Sequence, residues 1–256
     1  KEKNMKKYVI GILLPILIVL TWWGVTSTGN IPPSILPTLP EVGNAFKDMC
    51  RSGEMQKDLA ASLSRVVKGY VLASLLGILL GTVTGMSKTA SQLLMPTITT
   101  IRQIPVIAWI PLIILWCGIG ETSKVVIIVL AAFFPVLVNT YSGITNTPAG
   151  YIEVAQMYRL NKWKSFCKVY LPAALPNILV GMKLGLGISW MAVVASELVA
   201  ATSGIGYRMN YARTMMQSDR VIVCMLVVGV IGIVMDKLIS ILFIKITPWE
   251  KVTVKK

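Results

Sequence analysis

Residues 153–172 read Glu153-Val-Ala-Gln-Met-Tyr-Arg-Leu-Asn-Lys-Trp-Lys-Ser-Phe-Cys-Lys-Val-Tyr-Leu-Pro172, a polar and basic interlude between two long apolar runs. Upstream, 123–144 carries one charge, Lys124; downstream, 171–199 carries only Lys183 and Glu197. A hydrocarbon core about 30 Å thick takes roughly 20 helical residues to cross, and both runs are long enough. The interlude is therefore a connection held at one face of a bilayer. Thr147-Pro148 just before it reads as an N-cap followed by proline at the first helical position, which predicts a short helix from about 148 to 160 and then a basic loop. Its apolar members Ile152, Ala155 and Leu160, with Tyr151 and Tyr158, leave Glu153 and Arg159 for other faces.

Working outward, six stretches meet the length requirement, at about 8–27, 60–86, 93–117, 123–144, 171–199 and 220–245. With 55% hydrophobic and 14% charged residues in 256, the chain lies outside the composition of soluble domains and reads as one all-α integral membrane domain. Placing the amino terminus inside puts thirteen Lys and Arg residues in the connections and ends of that side and seven on the other, the asymmetry expected of a cytoplasmic face. Segment 1–7, the connection 145–170 and the tail 246–256 are then cytoplasmic. Lys1, Lys3, Lys6 and Lys7 resemble the start of a signal peptide, but the apolar run continues too far, and an uncleaved first span is expected. The net charge of +14 comes without aromatic-basic interleaving, which argues for anionic lipid and against nucleic acid. The four cysteines form no CxxC pair and no histidine is present to complete a zinc site, so no metal is expected; free thiols are the default, with a Cys50–Cys117 disulfide open on the outer side.

Within the spans, Gly69, Ala73, Gly77, Gly81 and Gly85 recur every four residues and predict a close helix-helix contact. Arg65 and Lys68 are expected to snorkel at the outer end of that span. The third span holds Pro96, Pro105 and Pro111, the last two expected inside a kinked helix lining a pathway. Arg102 and Gln103 are candidates to face that pathway, with snorkelling to the inner headgroups the other reading of Arg102. The fourth span holds Pro135 and turns polar at Asn139, Thr140 and Ser142. In the fifth, Gly181, Gly185 and Ser189 form a second small-residue face, expected toward a twin subunit or the second span. Lys183 falls near mid-membrane, where it needs water or a counter-charge, and Glu197 near the outer end is expected to be solvated. The outer segment 28–59 reads as a Pro-rich turn and a surface helix, and the glycine-punctuated loop after Ala201 as a cap or partner surface.

Some chemistry is missing. No G-x-x-x-x-G-K-[ST] phosphate cradle occurs, and with no histidine there is no Ser-His-Asp triad or HExxH helix, so the subunit is not expected to be an enzyme.

The interlude resembles the EAA loop of bacterial ABC-importer permeases, with Glu153, Val154 and Ala155 at the Glu-x-Ala positions and Val169, Leu171 and Pro172 closing the pattern. Arg159 stands where that family usually has glycine, which moves the expected turn to Leu160-Asn161. Ser62–Tyr70, Pro105–Pro111, Leu115–Glu121, Phe133–Thr140 and Ser203–Tyr207 are similar to the subgroup importing sulfonates such as taurine, nitrate or bicarbonate. The resemblance implies a type I, MetI-like six-helix permease core, paired with a second permease copy, two cytoplasmic ATPase subunits that bind ATP and Mg, and an extracytoplasmic substrate-binding protein, in a bacterial plasma membrane. It implies that Glu153, Val154, Ala155, Arg159, Leu171 and Pro172 form the ATPase-coupling site. Arg102, Gln103, Lys183 and Ser189 are the candidate pathway residues. Lys162, Lys164 and Lys168 have two open roles, attraction to the ATPase or to lipid. The alternative function is a self-sufficient channel or ion-driven carrier.

Overall fold

The computed structural model describes residues 2–29 and 31–247, with side chains described from Ile12 onward. The helices among the described residues run in the order α1 (Glu2–Ser27), α2 (Leu39–Arg51), α3 (Glu54–Met86), α4 (Lys88–Ile101), α5 (Val106–Cys117), α6 (Glu121–Thr145), α7 (Ala149–Met157), α8 (Lys162–Ser165), a π-helical turn (Phe166–Tyr170), α9 (Leu171–Ala200), α10 (Ile205–Thr214) and α11 (Ser218–Ile246). Four of them are long and apolar enough to cross a membrane: α3, α6, the continuous rod Lys162–Ala200 and α11. The α4–α5 pair makes a fifth if counted as one bent span. The expected first span is helical within α1, and Lys1 and most of the expected tail, 248–256, lie outside the described residues.

The core is α3 and α9 packed on the two sides of α6. Small residues make this possible, because in lipid it is close van der Waals contact, not expulsion of water, that favours helix association. The expected stripe on α3 is the contact: a Cβ on Gly77 would sit 2.9 Å from the Val136 Cβ, and one on Gly81 2.7 Å from the Leu137 carbonyl oxygen. Gly69 and Gly85 meet Ile128 and Ile144 in the same way. The second stripe faces a different neighbour from the one expected. Gly181 lies against Asn139 and the Pro135 carbonyl, and Gly185 against Val136 and Ala132, so its partner is α6, not a twin subunit or α3. One helix thus receives both small-residue faces.

The third span departs most from expectation. Continuity fails at Pro105, which lacks an N–H and disfavours helical backbone at the residue before it. The i→i−3 bonds Gln103 N–H to Thr100 O (3.2 Å) and Ile104 N–H to Ile101 O (3.1 Å) close α4. Pro105 then caps α5 with extended ψ of 135°, outside any helix, and the two axes differ by 97°. Of the three prolines of this span, Pro96 and Pro111 lie inside helices.

The smaller elements frame the core. Thr38 and Glu41 form a reciprocal capping box at the start of α2, the surface helix expected in 28–59, which buries Val42, Ala45 and Met49 toward α11 and α10. The Trp22 indole donates to the Pro37 carbonyl at 2.9 Å and ties α1 to this segment. All four cysteines are free.

Candidate functional site

Three sites are built on this frame. The first is α7. The expected N-cap, Thr147, does not cap it: Pro148 has an extended ψ of 133°, so the helix begins one residue later, and the Thr147 hydroxyl is buried with no hydrogen-bond partner. The helix is also shorter than 148–160. Its end is a Schellman motif, with Arg159 N–H bonded to Gln156 O (2.9 Å) and Leu160 N–H to Ala155 O (3.0 Å). Arg159 itself takes the left-handed conformation, φ 49°, so the turn stays at the position of the family's glycine and does not move to Leu160-Asn161. Ala155 is buried and Ile152 and Leu160 half-buried, whereas Tyr151, Val154, Met157 and Tyr158 are exposed, Met157 at 82%. The two tyrosines therefore leave the inner face assigned to them and join Glu153 and Arg159 outside. The basic loop expected after α7 is instead α8 and a π turn, running without a break into α9 through Leu171 and Pro172. Asn161 caps it by accepting from the Lys164 N–H at 2.8 Å. α7 is short and is joined through the chain to α6 on one side and, by way of α8 and the π turn, to α9 on the other.

The second site is a cavity of about 350 Å³ at the broken span, lined by Arg102, Ile104, Trp109, Pro135, Asn139 and Leu184 among others. Arg102, the C-cap of α4, is its one ionised lining residue. Gln103 is exposed in the break and does not line it. Ser189 is fully buried on the α6-facing side of α9, its hydroxyl without a partner. Lys183 turns away to α11, where it meets Asp236 at 3.2 Å; this is the counter-charge its depth requires. The four candidate pathway residues thus occupy different places, and only Arg102 lines this cavity. Asn139 and Trp109 join it there, and the polar end of the fourth span was the sequence signal for the former.

The third site was not foreseen. Arg65 does not snorkel; it is 3% exposed and bridges four segments. It donates to both oxygens of Glu121 (2.6 and 2.7 Å), to Glu197 (2.6 Å) and to the hydroxyl and carbonyl of Ser203 (2.8 Å each). Glu197, expected to be solvated, is 1% exposed and also accepts from Ser62 (2.8 Å) and the Gly206 N–H (3.0 Å). The Ser62 hydroxyl in turn accepts from Ile205 N–H at 3.0 Å, and Asp58 from Gly204 N–H at 2.9 Å. Gly204 has φ 112°, and a Cβ there would collide with the Glu197 carboxylate, so glycine alone fits. On α10, burial acts to lower the Arg208 pKa, but its bonds to Asp58 (2.8 Å) and Glu54 (3.1 Å) outweigh this and hold it above its ordinary value. Asp58, Ser62 and Arg65 share one face of α3 by their spacing, and three separate motifs, Ser62–Tyr70, Leu115–Glu121 and Ser203–Tyr207, end in this one clamp.

The model of the family of binding-protein-dependent transport system inner membrane components matches residues 59–247. The chain belongs to this family. Among the relatives of this inner membrane component, the chain is 37% identical over 252 residues to a protein of Bacillus subtilis named as an aliphatic sulfonates transport permease, SsuC, covering 98% of this chain and 91% of the relative. It is 34% identical to the taurine transport system permease protein TauC of Escherichia coli (94% and 89% covered) and 31% identical to the nitrate import permease protein NrtB of Synechocystis (95% and 91%). A solved amino acid ABC transporter with histidines shares the fold at TM-score 0.65 and 17% identity, over 78% of this chain and 98% of that one. An inward-facing MetNI methionine ABC transporter does so at 0.55 and 17%, over 70% and 92%. The fold is that of a type I ABC importer permease, and the chain is an ABC transporter permease of the group containing the sulfonate, taurine and nitrate permeases.

Proposed function

We propose that this permease forms the path for a small anion, such as a sulfonate, nitrate or bicarbonate, between itself and a second copy, and that α7 couples the path to ATP hydrolysis. Two ATPase subunits on the α7 side would hold ATP and Mg, since this chain has no phosphate loop. An extracytoplasmic binding protein would deliver substrate at the α10 end. The chain would lie in a bacterial plasma membrane, with both termini, the 145–170 connection and α7 in the cytoplasm. The observation that carries the reading is α7, a short helix whose apolar and aromatic residues Tyr151, Val154, Met157 and Tyr158 face outward although it sits in the connection between two spans. Such a face is costly in water and is explained by a groove on a partner.

In this reading Glu153, Val154 and Ala155 seat the helix, Arg159 closes it, and Leu171 and Pro172 pass the movement to α9. ATP-driven closure of the soluble subunits would bias the paired permeases between inward-open and outward-open states. Arg102 and Asn139 offer the anion a charge and an amide in the cavity, with Gln103 and Ser189 near the route; Lys183 contributes through its pair with Asp236. Reconstitution of the complex in proteoliposomes tests this. Glu153→Lys should leave basal ATP hydrolysis intact but reduce binding-protein-stimulated uptake at least tenfold, and Arg102→Gln should reduce anion uptake with little change in basal hydrolysis. Undiminished uptake with Glu153→Lys, or flux through the purified chain alone, would reject the coupled mechanism in favour of a channel or carrier.

A further inference from the structure

Two cavities at the α7 end share the lining residues Val83, Met86 and Lys162. The first is a groove of about 640 Å³ along α3, walled by Leu75, Ile78, Leu79 and Thr82 and bounded by Trp163 and Phe166. Its single charged lining residue is Lys162. The second, of about 540 Å³, lies under α7 and adds Ser87, Gln156, Ser165 and Tyr170 beside the apolar Ile152, Ala155 and Leu160. An apolar slot therefore borders, at a lysine, a pocket with hydroxyl and amide groups. Leu75 to Met86 spans about 16 Å of helix at 1.5 Å per residue, close to half of a hydrocarbon core about 30 Å thick, which is the depth of one leaflet.

Charge and aromatic placement agree with a lipid. Arg159, Lys162, Lys164 and Lys168 fall within ten residues, and no acid occurs between Glu153 and Glu197. Trp163, 72% exposed, lines the groove beside Lys162 and is of the residue type enriched at membrane interfaces. A basic pocket between membrane helices on the cytoplasmic side suits an anionic headgroup.

We infer that this double cavity is a binding site for an anionic phospholipid. One acyl chain lies on α3, the phosphate meets Lys162, and the headgroup sits under α7 beside Gln156. The lipid then forms part of the floor on which α7 rests, so anionic lipid content sets how firmly α7 is held. Assignment to the cytoplasmic leaflet rests on the orientation proposed above; the site itself does not.

The test uses the full chain in phosphatidylcholine nanodiscs, titrated with acyl-brominated phosphatidylglycerol or acyl-brominated phosphatidylcholine. The Trp163 signal is taken as the difference between the unaltered chain and Trp163→Phe. Phosphatidylglycerol should quench Trp163 saturably and at a lower mole fraction than phosphatidylcholine. Lys162→Gln should weaken this about fivefold, the worth of one lysine at an anionic surface, and Thr82→Phe, which fills the groove without changing charge, should displace the chain. Lys47→Gln, on α2 at the other end, should change nothing. Equal quenching by both lipids, indifferent to Lys162→Gln, would mean ordinary surrounding lipid and overturn the site. So would loss of the signal on adding the ATPase subunits, which would make the cavity a protein contact. Labelling of Cys167 from the extracytoplasmic face by an impermeant maleimide would overturn the orientation, while the bromolipid titration still decides the site.

Discussion

Arg159 shows how one backbone angle can keep a motif that its residue type breaks. A non-glycine residue in the left-handed region is strained by about 1–2 kcal/mol, yet the two Schellman bonds to Gln156 and Ala155 form as they would around glycine. Arg159→Gly should therefore stabilise the end of α7 by about 0.5–1 kcal/mol, partly offset by the greater freedom of glycine in the unfolded chain. Slower hydrogen exchange at the Arg159 position and at Leu160 would show it. Arg65 and Glu197 make the opposite case, residues whose type was readable and whose place was not. Removing one partner of a buried pair strands the other, so Arg65→Ala should cost about 3–5 kcal/mol, and Glu197→Ala a similar amount. The double variant should cost less than the sum of the two, and a thermal-unfolding cycle in detergent that found simple additivity would refute the coupling.

At the scale of elements, α6 is the shared wall. Gly81 faces the Leu137 carbonyl, a backbone atom held in its own helix, so a larger side chain cannot be met by a rotamer change. Gly81→Val should destabilise by about 1–3 kcal/mol, whereas the same change at Gly43 or Gly187, where a Cβ meets nothing, should cost less than half as much; thermal unfolding compares them. The broken third span follows the same local logic. Pro105 removes a donor, Ile104 avoids the helical region, and the chain turns by 97°, leaving Arg102 at a cavity wall. A single long kinked helix was the natural reading of 93–117, because hydropathy registers apolar length and not the direction of the axis.

For the whole molecule, two native cysteines mark the ends of the bundle. Cys117 ends α5 and Cys167 lies in the π turn beside α7, and both are exposed. With the proposed orientation, an impermeant maleimide should label Cys117 from outside intact cells and Cys167 only from the cytoplasmic side of inverted vesicles; the reverse pattern would invert the topology. The polar clamp occupies the Cys117 end, tying α3, α6, α9 and the start of α10 together, while α7 projects at the other. A movement imposed at α7 therefore acts on a bundle whose far end is bonded across four segments.

Much of this was legible in residues 153–172 and the apolar runs around them. Hydrophobic length determines that the chain crosses a bilayer, four-residue glycine spacing determines that α3 packs closely, and the Glu153–Pro172 pattern marks a short helix between two spans. These are local or periodic properties, carried by neighbours in sequence. Which helix receives a stripe, where a proline turns the axis, and which charges meet are not local. Arg65, Glu121, Glu197 and Ser203 are separated by up to 138 positions and become one site only because α6 holds α3 and α9 in register. Tertiary packing decided that Arg65 and Glu197, each readable as a surface charge, would be buried together with the exposed Glu121 closing the pair from outside, since each buried charge is the desolvated partner the other requires.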